Sequence, residues 1–262
     1  MKTCVALALW LFGAVCFAQG SPAGGPQNRA AYPESDAAAA WRALAASYVR
    51  KALKEQAVDQ DPALNARVDR VMAAVGAAVG AIDARFAKAS WKAILIEDFG
   101  RGAAAFPGEI ILVDARFVRT LQLTDDELAL VFAHEAAHVV AGHAFAKLSF
   151  MAQMLGKDKV PTARTALLEF LAKDSYAAAY QPTALLQERE ADAVGAAILF
   201  VSGHDPLRAL GLFDKLSQLE DGEGAGDRTS HDAARDRRQA VAGVIAELEQ
   251  IHARRGPERR VE

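Results

Sequence analysis

The chain has 262 residues, is 52% hydrophobic and 24% charged, and carries a formal net charge of −3. That length and apolar content suit one globular domain with a buried core. The near-balanced charge offers no electrostatic footing for nucleic acid or for an anionic membrane surface, and nucleic acid is set aside as a partner.

Taken from the N-terminus, Lys2 precedes an apolar stretch from Val5 to Phe17, and the small residue Ala18 stands before Gln19. Residues 1–18 therefore read as a secretory signal peptide, with a mature protein starting near Gln19 in the bacterial periplasm or outside the cell. Both cysteines, Cys4 and Cys16, fall inside that segment. A cleaved product has no thiol or disulfide, whereas a lipoprotein reading would keep Cys16 as an acylated first residue. No later run is long and apolar enough to read as an integral membrane span. Residues 19–35, rich in Gly, Pro, Gln and Ser, read as a flexible leader to a domain over 36–254.

Two alanine-rich segments, about 36–57 and 62–87, are expected to be helices. Ala93–Glu97 and Glu109–Val113 are β-rich runs joined by a glycine-rich connection from Gly100 to Gly108, and read as strands of a small sheet. Thr124-Asp125-Asp126-Glu127 has the form of a capping box and predicts a helix start. From there Leu128, Val131, Phe132, Ala136 and Val139 recur at helical spacing. His134 and His138 lie one turn apart on that helix with Glu135 between them, the pattern in which two imidazoles grip one metal ion and a glutamate activates water.

Catalytic zinc usually takes three protein ligands. The third is sought in Glu188-Arg189-Glu190-Ala191-Asp192, which leads into the apolar run Ala193–Phe200 of a buried helix. Glu188 and Asp192 share a face with Leu185, Gly195 and Leu199, so two carboxylates would lie on an apolar side where an unpaired charge is costly. Glu188 is the candidate ligand, and Asp192 the acceptor for the other ring nitrogen of a ligand histidine. Glu190 is the rival ligand, but it points to roughly the opposite side, and its removal is expected to spare both metal and turnover. Helical structure over about 144–180 lies between the two motifs. Past Pro206 a helix to about Leu219, an acidic glycine-rich loop and a last helix over about 232–254 are expected, then a disordered tail at 255–262.

Together these residues resemble the M48 family of zinc metallopeptidases. Phe106–Val113 is similar to the family's segment before the active helix, Asp126–His138 to the helix itself, Glu188–Asp192 to its ExEAD-like signature and Ser202–Pro206 to the turn that follows. The resemblance covers roughly residues 60–245. It implies an α+β, mostly helical, zincin-like (gluzincin) domain with a small β-sheet beside the active-site helix. It also implies one Zn2+ per chain on His134, His138 and Glu188, Asp192 in support, and Glu135 as general base. Many relatives carry a His-Pro pair and a following arginine near the domain's end. Here Thr229-Ser230-His231-Asp232 departs from that pattern, with Arg237 at about the expected distance, so His231 and Arg237 are candidate regulatory or transition-state contacts. By the same resemblance Glu109, Ile110, Ile111, Leu112 and Val113 are the expected edge strand onto which substrate adds as a further strand. His143 and His204 read as structural or supporting.

The expected activity is metalloendopeptidase cleavage of unfolded or flexible proteins, in quality control of the cell envelope. The alternative is a latent protease acting mainly as a periplasmic chaperone. No internal repeat is found, so the chain reads as a catalytic domain without a TPR array, and its oligomeric state is left open.

Overall fold

The computed structural model describes residues 30–100, 102–222 and 234–255. Its helices are α1 (Glu34–Lys54), α2 (Pro62–Ile82), α3 (Ala115–Thr120), α4 (Asp125–Val140), α5 (His143–Leu155), α6 (Ala163–Ala172), α7 (Asp174–Ser202), α8 (Pro206–Ala209), α9 (Gly211–Gly222) and α10 (Ala234–Arg255). Three strands, β1 (Lys92–Ile96), β2 (Ala103–Phe106) and β3 (Ile110–Asp114), form one sheet in the order β1-β3-β2. The fold is α+β and mostly helical, as expected.

Strand alternation sends successive side chains to opposite faces, and each face meets its own helical layer. Leu95, Ile111 and Val113, with Ala93, Ala103 and Ala105, pack into a core shared with α2, α4, α7 and α10. Ile96, Leu112 and Phe106, with Ile94, Ala104 and Ile110, pack against α1, α5 and α6. The sheet therefore lies between two helical layers.

The order of strands corrects the expected substrate strand. β3 is central, parallel to β1 and antiparallel to β2, so Ile110, Ile111, Leu112 and Val113 have neighbours on both sides. Glu109 precedes the strand in a turn with φ 58°. The edges are β1 and β2. Along β1, Val58 forms a bridge with Ile96, and the amides of Asp59 and Glu97 bond with Leu95 and Ala57, which covers that side. β2 comes from the segment expected to be a mere connection, and among the described residues no strand pairs with its outer side.

The leader expectation also changes at its end. Tyr32 is buried and its hydroxyl donates to the Val160 carbonyl at 2.5 Å, while α1 already begins at Glu34. One aromatic ring with a satisfied hydroxyl suffices to tie this stretch to the body. The expected signal peptide, the rest of the leader, most of the tail and His231 lie outside the described residues.

The Thr124 capping box forms as expected: the threonine oxygen accepts from the Glu127 amide and the Glu127 carboxylate accepts from the Thr124 amide. Lys215 of α9 also donates to the buried Glu127 at 2.7 Å, tying the start of α4 to that helix. The helix bearing Glu188 is longer than its apolar run suggested, 29 residues, and continues through Pro182. Among the described residues no single helix is long and apolar enough to cross a membrane.

Candidate active site

α4 supplies both histidines and Glu135, and α7 lies directly against it. The contact needs Gly195: a Cβ there would stand 3.0 Å from the Cα and N of His134. With no side chain at that point the two backbones touch, and Glu188 and Asp192, two turns and one turn earlier on α7, reach the histidines.

His134 Nε2 is 3.1 Å from His138 Nε2 and 3.3 Å from Glu188 Oε2, and His138 Nε2 is 3.4 Å from Glu188 Oε1. Ligand atoms placed tetrahedrally around zinc at about 2.0–2.1 Å stand about 3.3 Å from one another. Glu188 meets each histidine with a different oxygen; with one ligand atom per residue all three lie within 4.8 Å of one another, and they could hold a metal ion. Glu190 is not among them.

The other ring nitrogens are also partnered. His134 Nδ1 lies 2.9 Å from Asp192 Oδ1, and an ionised carboxylate can only accept, so Nδ1 carries a proton and Nε2, once deprotonated, has its lone pair for a ligand bond. Asp192 is gripped by Arg237, whose Nε and Nη2 donate to it at 2.8 and 2.7 Å. Arg237 thus has a fork-like hold on the supporting carboxylate, which recasts its expected transition-state contact as support for His134. Burial opposes the charge of Asp192, but bonds from Arg237 and His134 hold its pKa below the usual value.

Charge in the cluster is arranged for a cation. Burial disfavours a charged His134, yet the Asp192 and Glu188 carboxylates outweigh it and push its pKa up to about 9. His138 goes the other way: burial, with His134 beside it, holds it well below an ordinary histidine. Glu135 is raised by burial, with His134 and the Ala105 amide opposing.

That amide belongs to β2 and donates to Glu135 Oε2 at 2.8 Å. The Gly102 carbonyl accepts from Asp114 of β3, so residues 102, 104 and 106 turn their backbone groups inward and Ala103 and Ala105 turn theirs out. The outer edge of β2 runs along a cleft of about 560 Å³. Phe117, Val131, Phe213, Leu216, Trp41 and Lys147 line it together with the histidines.

The family model for peptidase family M48 matches residues 60–252. The chain belongs to that family. As an M48 protein it is a metallopeptidase, and its His134, His138 and Glu188 cluster could hold the metal. No curated protein matches it significantly.

Three features of this M48 site escaped the sequence reading. Ala103-Ala104-Ala105 carries almost no strand signal, since alanine is depleted in strands. Trp41 and Phe213 come to the cleft from helices remote in sequence, with no local motif. The third is the contact of Glu190, weighed there only as a rival ligand, with His143 at 3.3 Å, whose ring lies 2.8 Å from His138. His204 bonds Ser202 at 3.0 Å just past the end of α7 and is structural.

Proposed function

We propose that this chain is a zinc-dependent endopeptidase that cleaves misfolded or unassembled proteins of the cell envelope. The observation that carries the reaction class is the 3.1–3.4 Å spacing of the His134, His138 and Glu188 ligand atoms with Glu135 beside them. His134, His138 and Glu188 would hold one Zn2+, which would polarise the scissile carbonyl and acidify water there.

Glu135 acts as the general base, taking a proton from the attacking water and delivering it to the leaving amide nitrogen. Its Oε2 is fixed by the Ala105 amide, which leaves Oε1 for that proton. Burial raises its affinity for the proton, the direction a base working near neutral pH needs. The Ala103 backbone and the Ala105 carbonyl offer an edge to which an extended substrate adds as a strand. Such pairing reads backbone, and it suits unfolded or flexible segments over folded surfaces. A cleft of about 560 Å³ around the cluster favours an internal peptide bond.

Placement in the periplasm or outside the cell rests on the signal-like residues 1–18, with anchoring through Cys16 the variant reading. The test is hydrolysis of casein by the zinc-loaded protein beside Glu135→Gln and a chelator control. Cleavage lost in both controls supports the reading; equal cleavage by Glu135→Gln overturns the role of Glu135.

A further inference from the structure

The two histidines of the cluster are supported differently, and one support is assigned to no role by the reading above. His134 reaches a carboxylate directly. His138 Nδ1 lies 2.8 Å from His143 Nδ1, and His143 Nε2 lies 3.3 Å from Glu190 Oε2. We propose that His143 and Glu190 are positioning residues which, acting as a relay from α5 and α7, lock His138 in the tautomer that presents Nε2 to the metal.

The proton accounting runs inward from the carboxylate. Ionised Glu190 has no proton to give, so His143 donates from Nε2. A neutral imidazole has one N–H, so His143 Nδ1 must then accept, and the only proton available between the rings is the one on His138 Nδ1. His138 Nε2 is left with its lone pair, 3.4 Å from Glu188 Oε1 and 3.1 Å from His134 Nε2. For a neutral His143, each bond in the series runs in one direction only.

The relay is built into the fold. Gly142, at φ 72°, breaks the chain between α4 and α5 and turns His143 back toward the histidine one turn before the break. His143 is 5% exposed, and its ring stands edge-on to His138 at 4.9 Å between centroids. The position of Glu190 two residues from Glu188 puts it off the ligand face of α7, and α5 supplies the ring that bridges the gap. The expectation that Glu190 is dispensable for the metal is thereby revised.

The inference rests on the metal-site reading, and the experiment separates the two. Zinc dissociation constants are measured by competition with a chromophoric chelator for wild type, Glu190→Ala, Glu190→Gln, His143→Ala and the double Ala variant. Support of this kind is worth about 10–100-fold in metal affinity, and Glu190, one step removed, falls at the low end, about tenfold. Glu190→Gln, whose amide oxygen still accepts, recovers most of that loss. The double variant binds zinc no more weakly than His143→Ala, because Glu190 acts only through His143. Glu190 lies half-exposed, so the metal-free Glu190→Ala protein keeps its thermal midpoint. Wild-type affinity in Glu190→Ala, or an undiminished Glu190 effect in the His143→Ala background, overturns the relay while leaving the metal site standing. Absence of zinc binding by the wild type overturns both.

Discussion

The two walls of the cleft are built on opposite principles. The α4–α7 wall concentrates its chemistry in side chains, with His134, His138, Glu188 and Asp192 held together where Gly195 lets two helices touch and Arg237 of α10 gripping Asp192. The β2 wall has three alanines and presents backbone groups, one of which holds Glu135. The first wall is suited to binding a cation in one geometry, and the second to accepting many sequences through the atoms all peptides share. Glu135 belongs to both: its backbone rides on α4 and its carboxylate is fixed by β2.

The largest effect is expected where the walls meet. Glu135→Gln should lower turnover by about 10²–10⁴-fold while zinc content stays at the wild-type level, the range typical of a lost general base. Loss of zinc in that variant would mean that Glu135 belongs to the metal wall instead.

The charge of the metal wall sets the next prediction. Metal binding needs His134 deprotonated at Nε2, and its pKa is raised to about 9. Below that value a proton competes, so apparent zinc affinity should rise about tenfold per pH unit through neutral pH and level off only near pH 9. An unperturbed histidine would level off above about pH 6.5. A plateau from neutral pH upward, in chelator competition across this span, would show that Asp192 and Glu188 do not hold a proton there.

Packing of the same wall is tested by Gly195→Ala. The new methyl would meet His134 backbone at 3.0 Å, an overlap that flexible side-chain motion does not relieve. Destabilisation of about 1–3 kcal/mol in denaturant unfolding is expected, with weakened zinc binding. Unchanged zinc affinity would mean that the spacing of α4 and α7 does not govern the cluster.

The smallest effect probes the backbone wall. Ala105→Pro removes the amide that faces Glu135, and that amide is not paired with β3, a placement at which an edge strand tolerates proline. kcat/KM should fall about tenfold, a loss of about 1.4 kcal/mol of transition-state stabilisation, with zinc content intact. An unchanged kcat/KM would remove β2 from the catalytic apparatus.

This division also explains what could be read without coordinates. The metal wall is written in residue types whose spacing has few other uses: His134 and His138 one turn apart, Glu188 and Asp192 one turn apart, and Thr124 and Glu127 marking where α4 starts. Chemistry in side chains leaves such a trace. The β2 wall leaves almost none, because a backbone amide is present in every residue and Ala103–Ala105 lacks the branched side chains of a strand. The edge was assigned to Glu109–Val113 by family resemblance, and the branched residues of Ile110–Val113 fit a central strand buried on both faces instead. The pairing of Glu190 with His143 was not legible for a related reason. His143 approaches from α5 after a break at Gly142, and helical spacing within α7 carries no information about it.

The central claim is that His134, His138 and Glu188 form one metal centre, and metal content tests it most directly. After zinc loading and exhaustive dialysis, the account predicts one zinc per chain in the wild type and in Glu135→Gln, and none in Glu188→Ala. Stoichiometric zinc retained by Glu188→Ala would contradict it.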